Sequence, residues 1–130
     1  MSKRTKIFTA IIIVVIIAGI GGAVYFSMLN EYRSRVDGIQ IGKIDLTQIQ
    51  DGVYKGSSDA ILVSAAVEVT VENNRIVHID LEHNHGRGEE AEVITDRVID
   101  AQSLDVDIIS GSTASSKVIL DAIQNALAHK

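Results

Sequence analysis

The sequence predicts an α+β fold: a small, largely antiparallel sheet packed by two helices and preceded by one N-terminal transmembrane helix. Three observations carry that prediction. An almost wholly apolar run covers Ile7–Leu29; Val67, Val69 and Val71 alternate with Glu68, Thr70 and Glu72; and two later stretches repeat apolar residues at helical spacing. With 130 residues and no proline, repeat or low-complexity tract, the chain has room for one small domain beyond the apolar run.

The apolar run comes first. From Ile7 to Asn30 there is no charged residue, and at the helical rise Ile7–Leu29 spans roughly 34 Å, enough to cross a hydrocarbon core of about 30 Å. A cleaved signal peptide has an apolar region of roughly 7–15 residues ending at a small-x-small site. This run is longer and passes through Val24-Tyr25-Phe26 to Met28-Leu29 without such a site, so it reads as an uncleaved signal anchor. Lys3, Arg4 and Lys6 precede it, which places the N-terminus in the cytoplasm and everything after Leu29 outside, extracellular or periplasmic. The expected organisation is a cytoplasmic tail over 1–6, the anchor over 7–29, a polar stalk over 30–44 and an outer domain over 45–130.

Charge divides at the same boundary. All 17 acidic residues follow Asn30, with nine of the 12 basic ones, leaving the outer part at −8. A surface that acidic repels nucleic acid and anionic lipid, and no basic patch offsets it. The absence of cysteine excludes disulfides, thiolate metal sites, iron–sulfur clusters and haem attached through cysteine. Beyond the membrane run the aromatics are Tyr32 and Tyr54, so a planar ligand must rest largely on aliphatic groups and backbone.

Within the outer domain, Leu46–Ile49 suits a single helical turn before the Asp51-Gly52 turn signal, and Val53–Gly56 a short strand. The valine alternation marks a half-buried strand reaching back towards Ile61, and Val77, Ile79 and Leu81 line one face of a second, over about 75–82. Register constrains the turn between them. A two-residue Asn73-Asn74 loop pairs Val69 with His78 and puts the apolar sets on opposite faces. A three-residue loop, Glu72–Asn74, pairs Val69 with Val77 and Val67 with Ile79, and is expected here with Asn74 at positive φ. Glu89 to about Gln102 is a helix, acidic at its start, with Ala91, Ile94, Val98 and Ala101 as its apolar stripe. Leu104–Ile109 is a connector or short strand. From Ser112 or Thr113, Val118, Ile119, Ala122, Ile123, Ala126 and Leu127 define the second helix.

The start of that last helix is the candidate site. Ser110-Gly111-Ser112-Thr113 and Ser115-Ser116 crowd hydroxyls and a glycine into a first helical turn, where backbone N–H groups without intrahelical partners favour an anion. By itself the pattern also suits an ordinary N-cap at Ser110 or Ser112. A second candidate, Glu82–Gly88, carries His83 and His85 with His78 upstream. His-x-His without a third ligand is a low-specificity metal signal, and a solvated loop is the expected reading.

The longer run Ala101–Ser116, AQSLDVDIISGSTASS, resembles the signature of the FMN-binding domain family: Asp, variable residues, Ser or Thr, Gly, Ala, Thr, then a helix. Asp51–Gly56 and the strands at Val67–Val71 and Ile76–Leu81 extend the resemblance. Such domains occur in flavinylated subunits of sodium-pumping quinone reductases and Rnf-type complexes and in small extracellular electron-transfer proteins. The resemblance implies FMN held covalently by a phosphoester on Thr113, installed by a flavin transferase from FAD, with Asp107, Ser110 and Gly111 as recognition residues. Ser112 stands where the family usually has Ala and leaves a second hydroxyl beside Thr113. Tyr54 is the available stacking aromatic, and Arg87 is a cation for a reduced flavin.

The expected function is therefore a membrane-anchored, extracytoplasmic electron carrier served by membrane or surface redox partners. The alternative is a non-flavinylated binding, sensor or assembly module of the same fold. No nucleophile–base pair and no dinucleotide fingerprint supports a stand-alone oxidoreductase or hydrolase.

Overall fold

In the computed structural model, residues 2–84 and 89–128 are described. The chain forms two compact units, Met1–Ser34 and Arg35–Lys130. The first is helical: α1 runs Lys3–Asp37, carrying the apolar run at its centre and ending inside the second unit. Its Ile, Val and Phe side chains are exposed on every side, from Ile13 at 50% to Phe8 at 66%. A helix apolar all round has no face to turn to water and is long and apolar enough to cross a membrane. The helix also continues through the first part of the expected stalk, to Asp37.

In the second unit a 3₁₀ turn at Leu46–Gln48 lies where the sequence predicts a single helical turn. Asp45 caps it, accepting from the Thr47 hydroxyl and N–H, and these bonds, the hydroxyl's first, hold the Asp45 carboxyl below its ordinary pKa. Three antiparallel strands follow in the order β1-β2-β3: β1 is Gly52–Asp59, β2 Ser64–Glu72 and β3 Arg75–Asn84. β1 is longer than the expected Val53–Gly56. β2 starts at Ser64 and not near Ile61, because Ile61 turns the chain at φ +70° while its N–H donates to Asp59 Oδ1.

The hairpin register differs from the expected one. The turn has two residues, Asn73 and Asn74, both left-handed at φ +53° and +61°, and Glu72 faces Arg75. Asparagine adopts that region more readily than most residues, which suits this mirror-image turn. That turn puts Val71 opposite Ile76, and a bulge between Thr70 and Val71 then shifts the ladder by one residue, so that Val69 faces Ile79 and Val67 faces Leu81. Neither Val77 nor His78 lies opposite Val69. The tight turn itself places Ile76 (1% exposed) in the core; the bulge leaves Val77 (44%) outside and restores, beyond it, the apolar match that the turn alone destroys.

After β3 come a 3₁₀ turn, Glu89–Val93, and α2, Ile94–Ala101. Ala91, Ile94 and Val98 are buried as expected, whereas Ala101 is exposed. Gln102 ends α2 in the left-handed region, and its amide accepts from Ile76 N–H and donates to Ile76 C=O and Ile99 C=O. One side chain thus does the work of a neighbouring strand at the edge of β3. Residues 103–112 form an irregular connector, and α3 is Thr113–Ala128.

The core lies between α3 and one face of the sheet. Val118, Ile119, Ala122, Ile123 and Ala126 meet Val67, Val69 and Val71, all at most 4% exposed. Gly56 sets how closely α3 lies on β1: a Cβ there would stand 2.3 Å from Ala126 N and 2.4 Å from Ala122 O. Ser58 Oγ donates to Asp121 Oδ2 at 2.7 Å and Asn125 Nδ2 to Ser57 O at 2.9 Å, fixing the same crossing.

Candidate functional site

The segment 107–113 delivers its residues to the first turn of α3 and is fastened at three points. Arg97 Nη1 of α2 donates to Asp107 C=O at 2.9 Å. Ile109 N–H donates to the fully buried Ser116 Oγ at 3.1 Å. The Ser112 hydroxyl donates to Glu90 Oε2 at 3.3 Å. Between these bonds Gly111 takes φ +82°, a conformation other L-residues rarely adopt, and the space where its Cβ would sit is open. Ser112 N–H donates to Ile109 C=O, and Ser112 C=O accepts the first helical bond, from Ser116 N–H.

Ser112 therefore occupies the cap position while its hydroxyl points elsewhere. The residue is 6% exposed and turned onto Glu90, whereas Thr113 beside it is exposed on the first turn. The N–H groups of Thr113, Ala114 and Ser115 have no intrahelical acceptors, by the geometry of any helix start. This arrangement suits a phosphate: oriented N–H donors, a positive dipole end worth about 0.3–1 kcal/mol to an anion, an open glycine and an outward hydroxyl. Ser110 and Asp107 are exposed along the same segment.

Tyr54 is not part of this cluster. Along β1, Ser58 lies against Asp121 and Gly56 against Ala122 and Ala126, so Tyr54 faces the far end of α3. Thr113 and Ala126 are separated by roughly 20 Å at the helical rise. The Tyr54 hydroxyl instead donates to Gln50 C=O at 2.6 Å. Arg87 and His85 fall outside the described residues. His83 Nδ1 lies 3.5 Å from Glu92 Oε1, and among the described residues no group of three metal-ligating side chains forms.

Two features escape sequence reading. Glu90 reaches Ser112 across 22 positions. A groove of about 420 Å³ opens below the first turn of α3, between residues 39–43 and 104–108. Ile39, Ile41, Val106 and Ile108 line it, with Leu120 at its floor and Lys43 and Lys117 among its walls. Gln124 holds the near wall, donating to Gln40 C=O at 3.1 Å and accepting from Gly42 N–H at 2.6 Å. Thr113, Lys117, Leu120 and Gln124 follow at intervals of four, three and four residues, so the exposed hydroxyl and the groove share one stripe of α3.

Among curated proteins no individual relative matches the chain. The model of the FMN-binding domain matches residues 63–128, from just before β2 to the end of α3, and leaves Asp51–Gly56 outside. The match takes in the whole Asp107–Ser116 segment, with its outward threonine and anion-ready helix start, and the chain belongs to the FMN-binding domain family.

Proposed function

We propose that this flavin-binding domain is a membrane-anchored, extracytoplasmic electron carrier whose FMN is joined to Thr113 by a phosphoester bond. The observation that carries the reading is the division of labour between adjacent hydroxyls. Ser112 is committed to Glu90 at 3.3 Å, and Thr113 stands exposed at the helix start. Attachment by a flavin transferase using FAD balances simply. The Thr113 oxygen attacks the phosphorus of the FMN half and loses its proton, the pyrophosphate bond breaks, and AMP leaves. Asp107, Ser110 and Gly111 are the residues the transferase reads. Bound through its phosphate, the flavin supplies one- and two-electron chemistry with its ring unsubstituted.

The apolar run of α1 and the basic residues before that run support an anchor with the domain outside, where a covalent cofactor is not lost by dissociation. Membrane or surface redox proteins then reduce and reoxidise the flavin. Co-expression with a flavin transferase, followed by intact mass and in-gel fluorescence of denatured protein, tests this. The expected product carries one FMN, keeps it in Ser112→Ala and loses it in Thr113→Ala. No adduct, or an adduct retained by Thr113→Ala, overturns the proposal.

A further inference from the structure

We infer that the groove between residues 39–43 and 104–108 seats the flavin ring and that Lys117 is the cation that stabilises the ring when it is reduced. This inference rests on Thr113 as the point of attachment. Lys117 is one helical turn below Thr113, roughly 6 Å along the axis, and on the same stripe. A ribityl phosphate chain leaving Thr113 down that stripe reaches Lys117 first and then the groove floor at Leu120. The groove offers what a flat, largely apolar ring needs in a domain poor in aromatics. Ile39, Ile41 and Val106 are half-buried and Ile108 is 42% exposed, an apolar strip left uncovered beside the attachment point. Its volume of about 420 Å³ falls within the ~300–1,000 Å³ of ligand pockets.

Charge selects the redox state. Reduction by two electrons with uptake of one proton leaves the ring with one negative charge. The ionisable walls of the groove are Lys43, Lys117 and Asp105, a net positive lining in a domain that is otherwise acidic. Lys117, half-buried and closest to the tether in sequence, contributes its charge where solvent screens it least. Neither Tyr54, at the far end of α3, nor the acidic outer face of the sheet offers an equivalent seat.

The test uses full-length protein loaded by a flavin transferase, purified in detergent and checked for one FMN per chain by intact mass. A failure to load refutes attachment at Thr113; the present inference is read on loaded protein alone. Lys117→Gln is expected to weaken the reduced state about tenfold relative to the oxidised one, lowering the two-electron midpoint potential by about 30 mV. Lys55→Gln, a neutralisation on the opposite face of the sheet, leaves the potential unchanged. Val106→Glu places a charge in the seat and is expected to raise quenching of flavin fluorescence by acrylamide, a neutral quencher, several-fold. Equal potentials in Lys117→Gln and Lys55→Gln, or unchanged quenching in folded Val106→Glu, overturn the inference. If Val106→Glu does not fold, the potential of Lys117→Gln decides alone.

Discussion

Adding one methyl group at Gly56 tests the helix–sheet crossing on which the domain is built. In Gly56→Ala the new Cβ would stand 2.3 Å from Ala126 N, 2.4 Å from Ala122 O and 2.6 Å from Ala126 Cα. Ordinary contact is about 3.5–4.0 Å, and all three obstacles are backbone atoms, so α3 must retreat by roughly 1 Å. Overpacking of this kind costs about 1–3 kcal/mol. The retreat also stretches the Ser58–Asp121 and Asn125–Ser57 hydrogen bonds, now 2.7 and 2.9 Å, each worth about 1 kcal/mol. The sum, about 3–5 kcal/mol, is a large share of a typical domain stability of about 5–15 kcal/mol. Urea unfolding of the full chain in detergent, followed by circular dichroism, measures it. With a slope of about 1–3 kcal/mol per molar urea, the midpoint should fall by about 1 M or more. Gly111→Ala is the comparison: its Cβ meets nothing within 4 Å, so only the φ of +82° is at stake, about 1–2 kcal/mol. A Gly56→Ala midpoint within about 0.3 M of the parent's would refute the close crossing of α3 on β1.

Gln102→Leu removes the amide that serves Ile76 N–H, Ile76 C=O and Ile99 C=O. Leaving part-buried backbone groups unmet costs about 1–3 kcal/mol, and hydrogen exchange at the Ile76 amide should quicken before the rest of β3. The Asp45 carboxyl, held below its ordinary value of 3.8 by the Thr47 hydroxyl and N–H, stabilises the 3₁₀ turn at any pH above that value. The contribution disappears as pH falls through the lowered folded value. Carbon-detected NMR titration should place the Asp45 midpoint below 3.8, and Thr47→Val should move it up.

Much of this fold, and the helix start at its candidate site, is legible in the sequence because period and chemistry coincide there. The buried stripe of α3, the capped turn at Leu46–Gln48 and the left-handed Asn74 each follow from local residue types. The bulge beside Val71 does not, because a period of two carries no mark of an inserted residue; Val77 looks as apolar as Ile79. The second half of β1 is hidden for a different reason. Ser57-Ser58-Asp59 shows no apolar alternation, since its inward position, Ser58, meets a carboxylate of α3 and not a hydrocarbon. The groove is hidden by distance: Ile41 and Val106 become neighbours only once Gln124 has tied Gly42 to α3. Tyr54, singled out as the one aromatic able to stack, lies toward the far end of α3, for composition says what is available and not where it lies.

The closeness at Gly56 has a mechanical consequence for the other end of α3. The helix is clamped to β1 at Asp121, Ala122, Asn125 and Ala126, while its first turn is held by other partners, Ser116 by Ile109 and Ser112 by Glu90, with Thr113 left exposed. On the proposed reading, a transferase that modifies Thr113 engages the Asp107–Ser112 segment. It can do so without loading the clamp, because the acceptor is two turns removed from the nearest bond to β1. The fold thereby separates the stretch of helix that fixes the crossing on β1 from the stretch that carries the exposed hydroxyl.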